Sequence, residues 1–408
     1  MRVQGVDAEA CALARAHKPA HFVLERVVRP NILALEPYRC ARDDFQEGVL
    51  LDANENAMGP ALAPGTAYEA LDLHRYPDPS LHEARERATA LRGLPHPAYT
   101  FLGVGSAEGI DLIQRCFARP GQDKILICPP TYGMYKVSAS INDIGVVQVP
   151  LVTANGAFQL DTPRVQAALR ADPAIRLVFL CSPGNPTGTL LPLRDVQQIL
   201  DTPEFGGVVV VDEAYIDFAA EEQALGRKHG TEPVSAVSLV HEYANVIVAQ
   251  TLSKSFGLAG VRLGLAFAQP PIVQVLNNTK APYNISSPAA YLASQALSAE
   301  GVARMRANVH ALLDERERLC RALAPIPATG AVLGSNDANF VLVQVLDRPG
   351  GVPDSQRAAH VYETMARHRG LVVRNRSSEF GCAGCLRITI GTADENDLCI
   401  ALLTELLA

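Results

Sequence analysis

Four valines in succession, Val208 to Val211, run directly into Asp212. Side chains of a strand alternate between its two faces, so a strand with one wet face carries a polar residue at every second position. Val208–Val211 has no polar face. It therefore reads as a strand covered by helices on both sides, which is the situation of a strand inside a parallel sheet. A carboxylate at the C-terminal end of such a strand is partly desolvated and needs a cationic or hydrogen-bonding partner. For Asp212 that partner could be a structural ion pair or a ligand.

The surrounding chain fits this frame. From Thr100 to about Phe267 short apolar segments alternate with helical ones, the pattern of βαβ units. The candidate strands are Lys124–Cys128, Gly145–Val149, Leu177–Cys181, Gly207–Val211, Val246–Gln250 and Leu263–Ala268, with helices such as Ala107–Phe117 and Leu193–Leu200 between them. The expected fold is α/β: a three-layer α/β/α domain with a mostly parallel sheet, followed by a smaller α+β domain. Ser286 to about Leu323 reads as one long helix. After Pro327 come Phe340–Val343, a helix near Ala358–Arg369, Val372–Val373 and Leu386–Ile390. The expected division is an N-terminal arm over 1–45, a large domain over 46–285 and a small domain over 286–408. In the arm Val23, Leu24, Val27 and Val28 suggest helix, and Asn31–Tyr38 ends at a proline and a tyrosine. Val49–Leu51 reads as a strand leading into the polar loop Asp52–Pro60; His74–Pro79, with its two prolines, is another loop. Leu81–Leu91 is helical, and the polar stretch Ala219–Pro233 resembles an inserted loop.

At 408 residues, 48% hydrophobic and 19% charged, the chain can fill two cores. A net charge of -7 without a dense Lys/Arg cluster argues against nucleic acid. No apolar run approaches a membrane span, and Met1–Ala20 lacks the apolar core of a signal peptide, so the expectation is a cytoplasmic protein. Nine scattered cysteines suit free thiols in a reducing compartment. Cys382-Ala383-Gly384-Cys385 is a lone CxxC without the second pair or nearby histidines of a zinc site, and no metal is expected.

The chemistry-bearing positions fall at strand ends. Thr251-Leu252-Ser253-Lys254-Ser255-Phe256-Gly257 follows the apolar Val246–Val248 and places a lysine between two hydroxyls, with Arg262 eight residues further on. A lysine becomes a useful nucleophile toward aldehydes when its site lowers its pKa or keeps it bonded as an imine. Gly103-Val104-Gly105-Ser106-Ala107-Glu108-Gly109 opens a helix, whose free N–H groups favour a phosphate; the spacing is not that of a dinucleotide fingerprint. Cys181–Thr189, with two prolines and two glycines, is a rigid loop past a buried strand and leaves Asn185 as its amide donor. Tyr215 lies three residues beyond Asp212, and Tyr132 follows another strand end in Pro129–Gly133. Phosphate cradle, amide, carboxylate, lysine and arginine together are what a pyridoxal phosphate site needs: the lysine binds the cofactor, and the carboxylate keeps its pyridine nitrogen protonated.

The motifs GVGSAEG, PPTYGMY, SPGNPTG, VVDEAYIDF, TLSKSFGLAGVRLG and CLRITIGT, in this order, resemble the class I/II aminotransferases of fold type I. NILALEPY, LDANENA, RYPDP and PTYGMY are similar to their histidinol-phosphate branch, and the likeness runs from about Asn31 to the C-terminus. The resemblance implies that Lys254 is the Schiff-base lysine, Asp212 the pyridine partner, and Asn185 and Tyr215 the contacts of the ring hydroxyl. Tyr132 would stack on the ring; Ser106, Ala107, Glu108, Ser253 and Arg262 would surround the cofactor phosphate. It also implies a homodimer, with Tyr76 reaching the neighbouring subunit's site. Arg387 would bind the substrate's anionic group, with Arg374, Tyr38 and Asn185 also at the substrate. Departures are Ala107, where the family usually has Asp, Ser255 in place of a common Ala, and a longer stretch around Glu222–Pro233.

The reaction so implied is transamination between L-histidinol phosphate or its keto form and glutamate or 2-oxoglutarate. An aromatic amino-acid aminotransferase and a threonine-phosphate decarboxylase share much of the motif set. A cofactor-binding regulatory module would need a DNA-binding domain, for which the N-terminal arm leaves no room.

Overall fold

A computed structural model describes residues 3–13, 16–36 and 71–408. Strands β1 (Thr100–Gly103), β2 (Lys124–Ile127), β3 (Gly145–Gln148), β4 (Ile175–Cys181), β5 (Val208–Asp212), β6 (Val246–Thr251) and β7 (Gly264–Ala268) form one sheet in the order β1-β7-β6-β5-β4-β2-β3. The run β3-β2-β4-β5-β6 is parallel; β7 is antiparallel to both β6 and β1. The valine strand is the middle one, and all five residues of β5 are buried. Val209 and Val211 join one apolar cluster, Val208 and Val210 the other. Each face of the sheet thus has its own core, the outcome that four valines without a polar face demand.

A second sheet, β10-β11-β9-β8, gathers β8 (Thr329–Leu333), β9 (Phe340–Val345), β10 (Arg374–Asn375) and β11 (Cys385–Thr389), all antiparallel. Helices Ser355–His368 and Ala393–Leu406 contribute Val361, Met365, Leu402 and Leu403 to its core. Val372–Val373 precedes β10 and is not itself a strand.

Two sequence expectations need correction. The segment after Ser286 is two helices, Ser287–Ala296 and Ala299–Leu323. The break falls at Ser298, whose hydroxyl accepts from Gly301 N at 3.2 Å and starts the second helix as its N-cap. The stretch Ala219–Pro233 is not all loop: Ile216–Ala224 is helical, with Glu221 and Glu222 buried. Glu222 pairs with the buried Arg316 of the long helix, and Glu221 accepts from His310 Nε2 at 2.7 Å. Lys228 and His229, past the helix end, bind the buried Asp337 at the entry to β9. The polar residues face protein partners, which explains why composition alone reads as solvent. Of the N-terminal arm, Val27, Val28 and Leu33 sit in the same core as Ile272 and Leu276. Asp52–Pro60 and Tyr38 lie outside the described residues.

Candidate active site

The C-terminal ends of β4, β5 and β6 open into a cavity of about 480 Å³ that also reaches β10 and β11. It is lined by Ser106, Ala107, Tyr132, Asn185, Asp212, Tyr215, Ser253, Lys254, Arg262, Arg374 and Arg387, residues the sequence singles out. Cys181, Ala214, Thr251, Ala259 and Arg376 complete the lining. A larger cavity of about 710 Å³ lies among Leu190–Arg194, Pro233, Val234 and Leu239. Its lining carries Arg194, His229, Glu232 and Glu242 but no lysine, whereas the smaller one brings a lysine, a buried carboxylate and several arginines together, so the chemistry belongs to the smaller one.

Asp212 sits at the last position of β5, where the strand hands the chain to a turn. Its Oδ2 accepts from Tyr135 Oη at 2.7 Å and its Oδ1 from Ala214 N at 3.2 Å. Burial pushes its pKa up, against the opposing pull of these two bonds and of the Lys254 charge. Among the described residues no lysine, arginine or histidine forms an ion pair with it, so the structural ion-pair alternative finds no support. What the site lacks is a cationic N–H donor. Tyr135 was not anticipated from sequence. It is wholly buried and stacks on Phe179 at 4.9 Å, and a buried tyrosine hydroxyl must find an acceptor, which here is Asp212.

Lys254 follows β6 and carries its ammonium 5.7 Å from the centroid of the Tyr215 ring. Solvent reaches it through the cavity, yet its pKa is lowered, first by desolvation and then by the positive charge of Arg387, with Asp212 acting in the opposite sense. Beside it Ser255 donates to Asp217 Oδ2 at 2.5 Å, and Asp217 pairs with Arg92 at 2.8 Å. The departure at Ser255 is thereby accounted for, since an alanine there could not anchor the residue next to the lysine.

A phosphate-sized cradle forms where β1 turns into the helix Gly105–Phe117. The N-cap Val104 provides no side-chain cap, leaving the first amides for another acceptor. Gly105 has φ +71, and a Cβ there would lie 2.5 Å from Arg262 Nη2. The Arg262 guanidinium therefore packs directly over the helix start. From below, a Cβ on Gly264 would lie 2.3 Å from Ser106 N. Thr251 Oγ1 donates to Ser253 Oγ at 2.9 Å along the rim. Glu108 is a correction: its Oε2 accepts from Val104 N at 2.5 Å and from Asn284 Nδ2 at 2.7 Å. A carboxylate early in a helix turns back to the preceding backbone, and here it braces the turn outside the cavity.

The far wall is cationic. Arg387 Nη1 donates to Asn185 Oδ1 at 2.5 Å, and its guanidinium lies 5.2 Å from the Phe340 ring centroid. The loop carrying Asn185 is closed by Gly184 N to Thr189 O at 2.9 Å and held to the small sheet by Asp337 N to Gly188 O at 2.7 Å. Arg374 is the direct antiparallel partner of Arg387. Tyr132 stands edge-on to Tyr135 at 5.6 Å. Tyr215 is buried and meets Phe340 at 5.2 Å. Tyr76 lies outside this cavity, exposed and stacked on Tyr283 at 4.7 Å.

Fit to pyridoxal phosphate can be judged from the donor set. A buried carboxylate wants a cationic N–H, a lysine of lowered pKa lies within the same cavity, and an uncapped helix start under an arginine suits a phosphate. These residues fit the group.

The family described as aminotransferase class I and II matches residues 44–402. A histidinol-phosphate aminotransferase of Schizosaccharomyces pombe is 47% identical over 385 residues, covering 92% of this chain and 96% of that protein. One of Saccharomyces cerevisiae is 44% identical, covering 92% of this chain and 95% of that protein. Among solved structures, a histidinol-phosphate aminotransferase of Sinorhizobium meliloti in complex with pyridoxal-5'-phosphate superposes with a TM-score of 0.70 at 24% identity. That match covers 87% of this chain and 89% of the other, and it speaks for the fold.

Proposed function

The chain belongs to the class I and II aminotransferases, and from that premise we propose that it transaminates between L-histidinol phosphate and 2-oxoglutarate, giving imidazole acetol phosphate and glutamate, in either direction. The observation that carries this reading is the joint lining of one cavity by Lys254, Asp212 and an arginine wall. When bound, pyridoxal phosphate supplies an electron sink that stabilises negative charge on the carbon bearing the amino group.

The residues divide the work. Lys254 Nζ would hold the cofactor's aldehyde carbon at rest and, once displaced by the substrate amine, would be free to accept the proton from the substrate carbon that carries nitrogen. Its lowered pKa enlarges the neutral fraction able to do so near neutral pH. Asp212, set by Tyr135, would hold the pyridine nitrogen in its protonated form. Asn185 and Tyr215 hold the ring hydroxyl, and Tyr132 covers the ring. The amides of Ser106 and Ala107, with Ser253 and Arg262, hold the cofactor phosphate. Arg387 and Arg374 hold the anionic group of the substrate, since a guanidinium fork suits both a carboxylate and a phosphate.

The proposed assembly is a homodimer in which Tyr76 serves the neighbouring site and Tyr38 the substrate, and the proposed location is the cytoplasm. Support for the location is that every described cysteine is unpaired; in addition, no helix among the described residues is long and apolar enough to cross a membrane.

Borohydride reduction of the coloured holoenzyme followed by peptide mapping tests the chemistry: the label belongs on Lys254, and a label on another lysine defeats the assignment. Amino donors offered with 2-oxoglutarate test the substrate. Histidinol phosphate should outrun phenylalanine; the reverse order would move the enzyme to the aromatic amino acids, and carbon dioxide release without a keto-acid partner would make it a decarboxylase.

A further inference from the structure

We propose that Arg376, positioned by Glu379, is the residue that fits the substrate clamp to a doubly charged phosphate; this rests on the phosphorylated substrate proposed above. Arg374 opens the edge strand β10 and lies directly opposite Arg387 of β11. Side chains two apart on a strand share a face, so Arg376 follows Arg374 on the same side, and its own N–H bonds Cys385 O at 2.8 Å. All three arginines line the cavity. Like charges directly across a ladder are unfavourable, and a third one beside them adds to the repulsion. Arg387 feels this: after burial, the charges of Arg376 and Arg374 are what lower its pKa.

The protein itself offsets little of this charge. Among the described residues Arg387 has the neutral Asn185 as its hydrogen-bond partner in the cavity. Arg376 Nη1 donates to Glu379 Oε1 at 2.8 Å. Three cations against one carboxylate leave an excess of about two positive charges, which matches a phosphate monoester. The Nε–H groups of Arg376 and Arg387 are also buried with no hydrogen-bond partner. Buried donors without acceptors are uncommon in folded proteins, and these two lie on guanidinium groups that line the cavity.

The clamp must accept two different anions in turn. In glutamate the carbon bearing nitrogen carries a carboxylate with a single charge, for which the Arg387 fork suffices. In histidinol phosphate a phosphate-bearing methylene replaces that carboxylate, adding one charge and a third oxygen. Glu379 holds Arg376 at the edge of the clamp, where its guanidinium charge faces the larger anion. Arg376 is thus a specificity residue, and its removal should penalise one amino donor far more than the other.

The test compares single-turnover rates of wild-type and R376Q holoenzyme with each donor. The expected loss is about 10- to 100-fold with histidinol phosphate, the range of a charge-assisted hydrogen bond, and at least about tenfold smaller with glutamate. Inorganic phosphate titrated calorimetrically into the holoenzyme should bind R376Q about tenfold more weakly. Equal losses on the two donors, or no loss on either, would overturn the role of Arg376 while leaving the substrate reading intact. A wild-type enzyme that reacts with glutamate and ignores histidinol phosphate overturns both. If R376Q does not retain the cofactor, R376K carries the same comparison: the charge without the planar fork should still lose several-fold more on the phosphate donor than on glutamate.

Discussion

Asp212 and Glu213 are consecutive, both buried, and differently furnished. Asp212 has one hydroxyl and one amide. Glu213 points to the other side of the chain, where Ser235 Oγ, Gln250 Nε2 and Ala236 N all donate to it. Burial nonetheless pushes the Glu213 carboxyl from 4.5 up to about 7, with those donors and Arg92 opposing it. A carboxyl whose folded pKa lies above its unfolded value binds its proton more tightly in the folded chain. Its contribution to stability is whole below pH 4.5 and is lost as pH rises through about 7. The full excursion is on the order of 3 kcal/mol at about 1.4 kcal/mol per unit. Unfolding by denaturant between pH 5 and 8 should show stability falling as pH rises, and Glu213→Gln should flatten that slope. An equally steep slope in the variant would place the titration elsewhere.

At the scale of elements, the helix start at Gly105 is where geometry is least forgiving. Alanine there would have to adopt a left-handed φ and also displace the Arg262 guanidinium. Gly105→Ala should cost roughly 1–3 kcal/mol of stability and weaken cofactor binding about tenfold or more. Thermal melts with and without added cofactor would check both, and a variant indistinguishable from wild type would refute the cradle. The strands β2 to β7 were legible because each is an apolar run ending in turn chemistry, and the lysine, asparagine and aspartate loops were legible because they follow those ends. The helix break at Ser298 was hidden: alanine and leucine continue on both sides, and only the serine cap marks the boundary. Glu108 was misplaced because a residue beside a phosphate-binding turn invites a ligand role, whereas a side chain one turn into a helix faces its own N-terminus. Tyr135 went unread because its partner Asp212 lies 77 residues away in sequence, and Arg376 because only the β10–β11 pairing brings it beside Arg374 and Arg387 on one cavity wall.

For the whole molecule, the site draws on both sheets. Lys254 and Asp212 come from the large sheet and Arg387 from the small one, joined by the hydrogen bond from Arg387 to Asn185. The buried Arg316–Glu222 pair and the grip of Lys228 and His229 on Asp337 fix the two parts to each other. The proposed dimer extends this sharing to a second subunit. Co-expressed Lys254→Ala and Tyr76→Ala chains should form mixed dimers that recover activity neither homodimer has, because one of the two sites then keeps both residues. Recovery no greater than the sum of the homodimers would argue that Tyr76 serves its own chain. The lone carboxylate at the end of β5 has a further consequence. Burial raises its pKa, so ionising it in the folded chain is disfavoured; a protonated pyridine nitrogen beside it would offset that cost, and the cofactor would thus act as a ligand that stabilises only the folded form. In a cell short of vitamin B6 the empty chains would open more often and be degraded faster. The amount of this enzyme, and not only its activity, would then follow the vitamin supply.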